Sequence, residues 1–191
     1  MCFTFEENDD EIEKCSLIKD VNNKQSDTSL VLSLKEEAAK LVELSGGKGS
    51  SLSHLIGLSN KLSEEKSENN FNVPNGIIVT TNAYKELLRE TNLEPEIVKL
   101  EKLANSESRK NLKTECENLV DLISKHNLPQ TIRTQIEKLL KQSFNDYENK
   151  LFAVRSSASG EDSEEMSAAG QMTSYLGVKG NHKSYATIIC F

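Results

Sequence analysis

Aromatic side chains make up only 5% of the 191 residues, and there is no tryptophan. With hydrophobic residues at 36% against 28% charged and a mean hydropathy of −0.52, the apolar content is lean for a self-sufficient domain. The length suits one domain with a real core, or part of a larger one. A basic surplus is also missing. The net charge of −7 and pI near 5.1 produce an acidic field that attracts neither nucleic acid nor an anionic membrane surface, so any anionic ligand has to be held by local cations. No apolar run approaches the roughly 18 residues of a membrane span. The amino terminus, Met1-Cys-Phe-Thr-Phe-Glu-Glu, is acidic where a signal or transit peptide is basic. Cys2, Cys15, Cys116 and Cys190 form no Cys-x-x-Cys and stand by no histidine pair of metal-ligand spacing, which reads as a reduced, cytoplasmic setting with no metal site.

Two small-residue segments carry the chemistry. In Leu151-Phe-Ala-Val-Arg-Ser-Ser-Ala-Ser-Gly160 an apolar run delivers Arg155 into a loop rich in serine and glycine. Leu151 to Val154 reads as an interior strand with Arg155 at its carboxyl end. Ser156 and Ser157 then offer hydroxyls and uncluttered amides to anionic oxygens. Upstream, Ser45-Gly-Gly-Lys-Gly-Ser50 opens into a helix with Leu52, Leu55 and Ile56 on one face. That places Lys48 near a helix N-terminus, where the dipole and backbone amides favour an anion and Gly46, Gly47 and Gly49 let it approach the main chain closely. The spacing rejects a P-loop, because Val42 stands where the first glycine belongs and Gly49 where Ser or Thr belongs. It rejects the dinucleotide fingerprint too, since Leu52 replaces the third glycine.

The rest of the chain divides by composition. Residues 1–29, with Glu6, Glu7, Asp9, Asp10, Glu11 and Glu13, read as an acidic flexible arm. Leu30-Val-Leu reads as a short strand, and Ser33 with Glu36 as a capping box for a brief helix through Leu44. Phe71 to Val79 reads as a strand with a Pro74-Asn-Gly76 turn inside it, and Thr80 or Thr81 as the cap of a helix bearing Tyr84, Leu87 and Leu88. Pro95 opens the next helix. The stripes Leu112, Cys116, Leu119, Val120, Ile123 and Ile132, Ile136, Leu139, Leu140 flank a break at His126-Asn-Leu-Pro129 and have an ordinary packing explanation. Met172 to Val178 reads as a strand.

Taken with Val73-Pro-Asn-Gly-Ile-Ile-Val-Thr-Thr-Asn-Ala-Tyr84, these segments resemble the amino-terminal nucleotide-binding domain of the pyruvate phosphate dikinase and phosphoenolpyruvate synthase family, a domain that rifampicin phosphotransferases share. The resemblance runs from about Leu32 to Gly180 as a glycine-lysine-glycine turn, a strand ending in Thr-Thr-x-Ala-Tyr, and Ala153-Val-Arg-Ser-Ser-Ala158 with Glu161-Asp162 and a trailing Ala169-Gly-Gln171. It implies an α/β fold, the amino-terminal part of an ATP-grasp domain with a helical insert over about 94–142. It implies ATP as the nucleotide, with Lys48 and Arg155 on its phosphates and Arg155 as the residue nearest the chemistry. Gly47, Gly49, Thr81, Ser156, Ser157, Gly170 and Gln171 are further binding residues, and Glu161 and Asp162 are weaker candidates for ordering the loop or placing Mg²⁺ through water.

The implied activity is phosphoryl transfer to a small-molecule acceptor that the residues do not identify. Mg²⁺ would assist, held mainly by ligands outside this chain. No segment resembles the family's phosphohistidine signature, and His54, His126 and His182 match no catalytic context. Residues 30–180 are therefore expected to be a partial ATP-binding domain and 181–191 a divergent tail, the whole a truncated or alternatively ended copy. The competing reading is a catalytically inactive nucleotide-binding or regulatory protein.

Overall fold

Val31–Ser33 (β1) and Ile77–Val79 (β2) pair antiparallel, with Val31 opposite Val79, Leu32 opposite Ile78 and Ser33 opposite Ile77. Successive side chains of a strand point to opposite faces, so this short ribbon has two apolar sides and both are covered. The computed structural model describes residues 28–66, 68–106, 110–158 and 174–180. Most of the acidic arm and all of the tail 181–191 lie outside them.

One face of the ribbon presents Val31, Ile77 and Val79 to the helices Thr81–Thr91 (α2) and Gln130–Ser143 (α5), where Ala83, Leu87, Ile132, Ile136 and Leu140 are buried. The expected stripe of α5 is the one that packs. Ile136 is completely enclosed. The other face presents Leu32 and Ile78 to Leu34, Ala39 and Ile56, the last from the long helix Val42–Glu64 (α1). The architecture is mixed helix and strand, a ribbon layered between helices.

Helix α1 differs from its sequence reading in an instructive way. Its buried residues are Ser45, Gly46, Gly49, Ser50, Ser53, Ile56 and Ser59, while Leu55 is 43% exposed. A β-carbon on Gly49 would sit 3.2 Å from Ile78 Cδ1, so the helix lies close on β2 because its inward face is small rather than large. Of the expected apolar face, Ile56 is buried and Leu52 packs against the same core, while Leu55 turns outward. Two serine hydroxyls on this face find backbone partners: Ser50 Oγ donates to the Lys40 carbonyl at 2.6 Å, and Ser59 Oγ to that of Phe71. The brief helix before it is a 3-10 turn, Glu37–Lys40, and the capping box forms its return limb as the Ser33 amide donates to the Glu36 carboxylate at 2.6 Å.

Helices Glu94–Ala104 (α3) and Leu112–Lys125 (α4) pack on each other, and neither contributes a fully buried residue. Pro95 stands in the first turn of α3 as expected. Of the 94–142 stretch, α5 and the preceding Leu128 supply the core residues.

Leu151–Arg155 (β3) and Ser174–Lys179 (β4) form a second antiparallel pair. Phe152 faces Val178 and Val154 faces Tyr175, so β4 holds one extra residue there. Gly177, with φ +72°, takes the positive-φ position of this bulge. Phe152 meets Phe144 edge to face at 5.2 Å between centroids, which ties β3 to the end of α5. Leu151 was expected inside a sheet; it is 67% exposed, and Leu176 on β4 is 79% exposed. The strand alternates in and out instead of being buried on both faces. Phe71 to Val79 is likewise strand only at its last three residues.

Candidate functional site

The start of α1 and the end of β3 meet. Gly46 interrupts the helix with φ 65° and ψ 174°, a conformation open to glycine alone, and the continuous helix begins after it. The Gly47 amide donates to the Ala158 carbonyl at 3.0 Å. The Gly49 amide donates to Ser157 Oγ at 3.1 Å, and that hydroxyl donates in turn to the Ser45 carbonyl at 2.8 Å. Ser157 is thus wrapped by the glycine turn. Lys48 lies between the two donating amides, and Arg155 lies two residues before the receiving hydroxyl. The segments that the sequence marked as two halves of an anion grip are in direct contact although about a hundred residues separate them.

Other elements brace the same corner. Thr81 Oγ1 donates to the Glu43 carbonyl at 2.7 Å, fastening the first turn of α2 to the first turn of α1. Thr80, only 2% exposed, donates to the carbonyls of Ser29 at 2.7 Å and Leu30 at 3.2 Å. Neither threonine hydroxyl caps α2, as the sequence had suggested; both hold neighbouring backbone instead. Arg155 is exposed, whereas Lys48, Ser156, Ser157 and Thr81 are half-buried. Gly170, Gln171, Glu161, Asp162 and His182 lie outside the described residues. His54 is exposed on α1, and His126 is half-buried at the end of α4.

The roles of Gly46 and Ser45 at this corner escaped the sequence reading. Gly46 is the residue whose missing side chain lets Ser157 in: a β-carbon there would fall 2.5 Å from the Ser157 carbonyl oxygen. Ser45 Oγ is buried and without a hydrogen-bond partner among the described residues. The available signal was that the helix opening Gly46-Gly-Lys-Gly49 has no side chain able to cap it, so its first amides needed partners from elsewhere.

The arrangement can hold an anion chemically. The amides of Gly47 and Gly49 and the hydroxyl of Ser157, expected to meet an anion, are bonded to one another and to neighbouring carbonyls. What this corner offers an anion is therefore the helix dipole with the Lys48 charge in its first turn and the arginine that ends the adjoining strand, in a protein otherwise acidic. Among the described residues no three His, Cys, Asp or Glu side chains converge to hold a metal ion. No described helix is long and apolar enough to cross a membrane.

Residues 42–190 match the family described as pyruvate phosphate dikinase, AMP/ATP-binding domain. The chain is similar to the phosphoenolpyruvate synthase of Synechocystis sp., with 29% identity over 91% of this chain and 22% of that protein. It is similar to the phosphoenolpyruvate synthase of Aquifex aeolicus, with 32% identity over 80% of this chain and 17% of the other. The rifampicin phosphotransferase of Streptomyces sviceus shares 31% identity over 78% of this chain and 16% of its own. The chain spans about a fifth of the length of these curated relatives.

Proposed function

The chain belongs to the pyruvate phosphate dikinase AMP/ATP-binding domain family, and we propose that it binds ATP at the corner where the Lys48 turn meets the end of β3, as part of a phosphotransferase. The observation that carries this reading is the contact of Gly47 and Gly49 with Ala158 and Ser157, which brings two cationic segments to one place. Lys48 supplies a compact charge and Arg155 a planar fork suited to two phosphate oxygens. Thr81 and Ser156 border the same corner. The fold is read as the amino-terminal part of an ATP-grasp domain, with Gly170 and Gln171 kept as further candidate binding residues.

In phosphoryl transfer the protein's task is largely positioning and charge stabilisation. Lys48 and Arg155 would neutralise phosphate oxygens and hold the chain of phosphates in one orientation. Mg²⁺ would supply further charge neutralisation when bound. The relatives' names, phosphoenolpyruvate synthase and rifampicin phosphotransferase, point to a small molecule as the acceptor class. A cytoplasmic setting fits a nucleotide-dependent activity of this kind.

Calorimetric titration with ATP and magnesium tests the reading. Arg155→Ala and Lys48→Ala should each weaken binding by about 1.5–3 kcal/mol, the range for hydrogen bonds to charged groups. Lys99→Ala, which removes a lysine on α3 paired with Glu96 and Glu115, should leave affinity unchanged. Wild-type protein without measurable ATP affinity, or Arg155→Ala with full affinity, would overturn it.

A further inference from the structure

We propose that Ser157 is a positioning residue: it caps α1 in place of the side chain that Gly46 lacks, and so fixes Arg155 relative to Lys48. This role rests on the reading of the corner as an ATP site. In an ordinary helix start the residue at the cap position turns its own oxygen onto the second or third amide. Counting Gly47 as the first helical residue, Gly49 is the third, and the oxygen on its amide is Ser157 Oγ. The first amide is taken by the neighbouring carbonyl of Ala158. Ser157 also donates to the Ser45 carbonyl, so its hydroxyl is fixed in both directions and a residue without one cannot replace it.

The consequence for the site is geometric. Arg155 is two residues from Ser157, so its Cα stays within about 7 Å of the pinned position. Lys48 is bonded to both glycines whose amides do the pinning. One hydroxyl therefore sets the register between two cations that the chain itself separates widely. Gly46 belongs to the same device, since any side chain there would occupy the place of Ser157.

The test uses the whole chain, ATP with magnesium, and the variants Ser157→Ala, Ser157→Thr and Arg155→Ala. Ser157→Ala should weaken ATP binding about tenfold, and Ser157→Thr, which keeps the hydroxyl, should restore most of it. If Ser157 acts through Arg155, Ser157→Ala should cost little further affinity in the Arg155→Ala background, whereas an unrelated structural effect would add in full. Amide exchange in the nucleotide-free wild type gives an independent measure: Gly47 and Gly49 should exchange slowly, and exchange at unfolded-chain rates would overturn the cap even where Ser157→Ala fails to fold. Wild type that binds no ATP would sink the nucleotide reading and this role together. Tight binding by wild type and Ser157→Ala alike would sink the positioning role alone.

Discussion

Gly46 and Ser157 exclude each other's alternatives: a β-carbon on Gly46 would fall inside 3.0 Å of the Ser157 side chain and backbone, and the space is free only because Gly46 has none. The same glycine holds a φ of 65°. Gly46→Ala therefore meets two penalties, backbone strain and collision. It should destabilise the protein by about 2–4 kcal/mol, read from the denaturant midpoint. Gly57, in the middle of α1, is the contrast. A β-carbon there would meet only the end of the Lys40 side chain at 3.8–3.9 Å, so Gly57→Ala should stabilise by about 0.5–1 kcal/mol.

Thr80 is expected to matter for stability more than its place before a helix suggests. Its buried hydroxyl serves two carbonyls of the segment leading into β1. Thr80→Val keeps the shape and leaves those carbonyls with one donor fewer, at a cost of about 1–2 kcal/mol in thermal or chemical unfolding. An unchanged midpoint would show that water replaces the hydroxyl at no loss.

The exposed face of the β3–β4 pair should drive association. Leu151 and Leu176 are the two most exposed large apolar residues described. Replacing both with lysine should leave the unfolding midpoint within about 0.5 kcal/mol, as for surface changes that remove no packing. It should also reduce light scattering and the apparent mass in sedimentation. A double variant that associates as strongly as wild type would assign the association to another surface.

Alkaline unfolding should be governed by two phenols. Burial, aided by Glu148 and Glu137, raises the pKa of Tyr147, and burial with Glu101 raises that of Tyr84. A raised folded-state pKa gives a contribution that is complete below the ordinary phenol value of about 10 and is lost as pH climbs through the raised value. Stability should therefore fall above about pH 10. Tyr147→Phe should flatten that fall, followed by tyrosinate absorbance and unfolding midpoints.

The helices α2, α4 and α5 were legible because each carries an apolar stripe at helical spacing, and Ile132, Ile136 and Leu140 of α5 are buried as that stripe predicts. Helix α1 was legible in extent and, through Leu52 and Ile56, partly in facing. Its inner side carries Gly49, Ser53 and Ser59 beside Ile56, and hydropathy marks only the apolar part of a face chosen also for closeness. The run Leu151-Phe-Ala-Val154 reads as an interior strand because every residue is apolar, yet alternation exposes Leu151 and Ala153. Thr80 and Thr81 show the opposite limit: their residue type fits a cap, but the carbonyls that claim their hydroxyls come from the segment leading into β1 and from α1, and pattern within a helix contains no record of such partners. The meeting of Lys48 with Arg155's segment was legible only as chemistry, since nothing in their spacing joins them.

The long separation between Ser157 and the turn it completes has a bearing on biosynthesis. The hydroxyl that bonds the Ser45 carbonyl lies 112 residues further along the chain, and at elongation rates of roughly 5–20 residues per second it is made some 6–22 s later. Throughout that interval the nascent α1 has its first amides open to water, and α2 to α5 emerge before the turn is closed. Closure of so large a loop adds an entropic barrier that local helix formation does not meet. The Lys48 turn is thus among the first parts of the described chain to leave the ribosome and among the last to reach its final hydrogen bonding, which delays assembly of the proposed nucleotide corner until the strand bearing Arg155 is present.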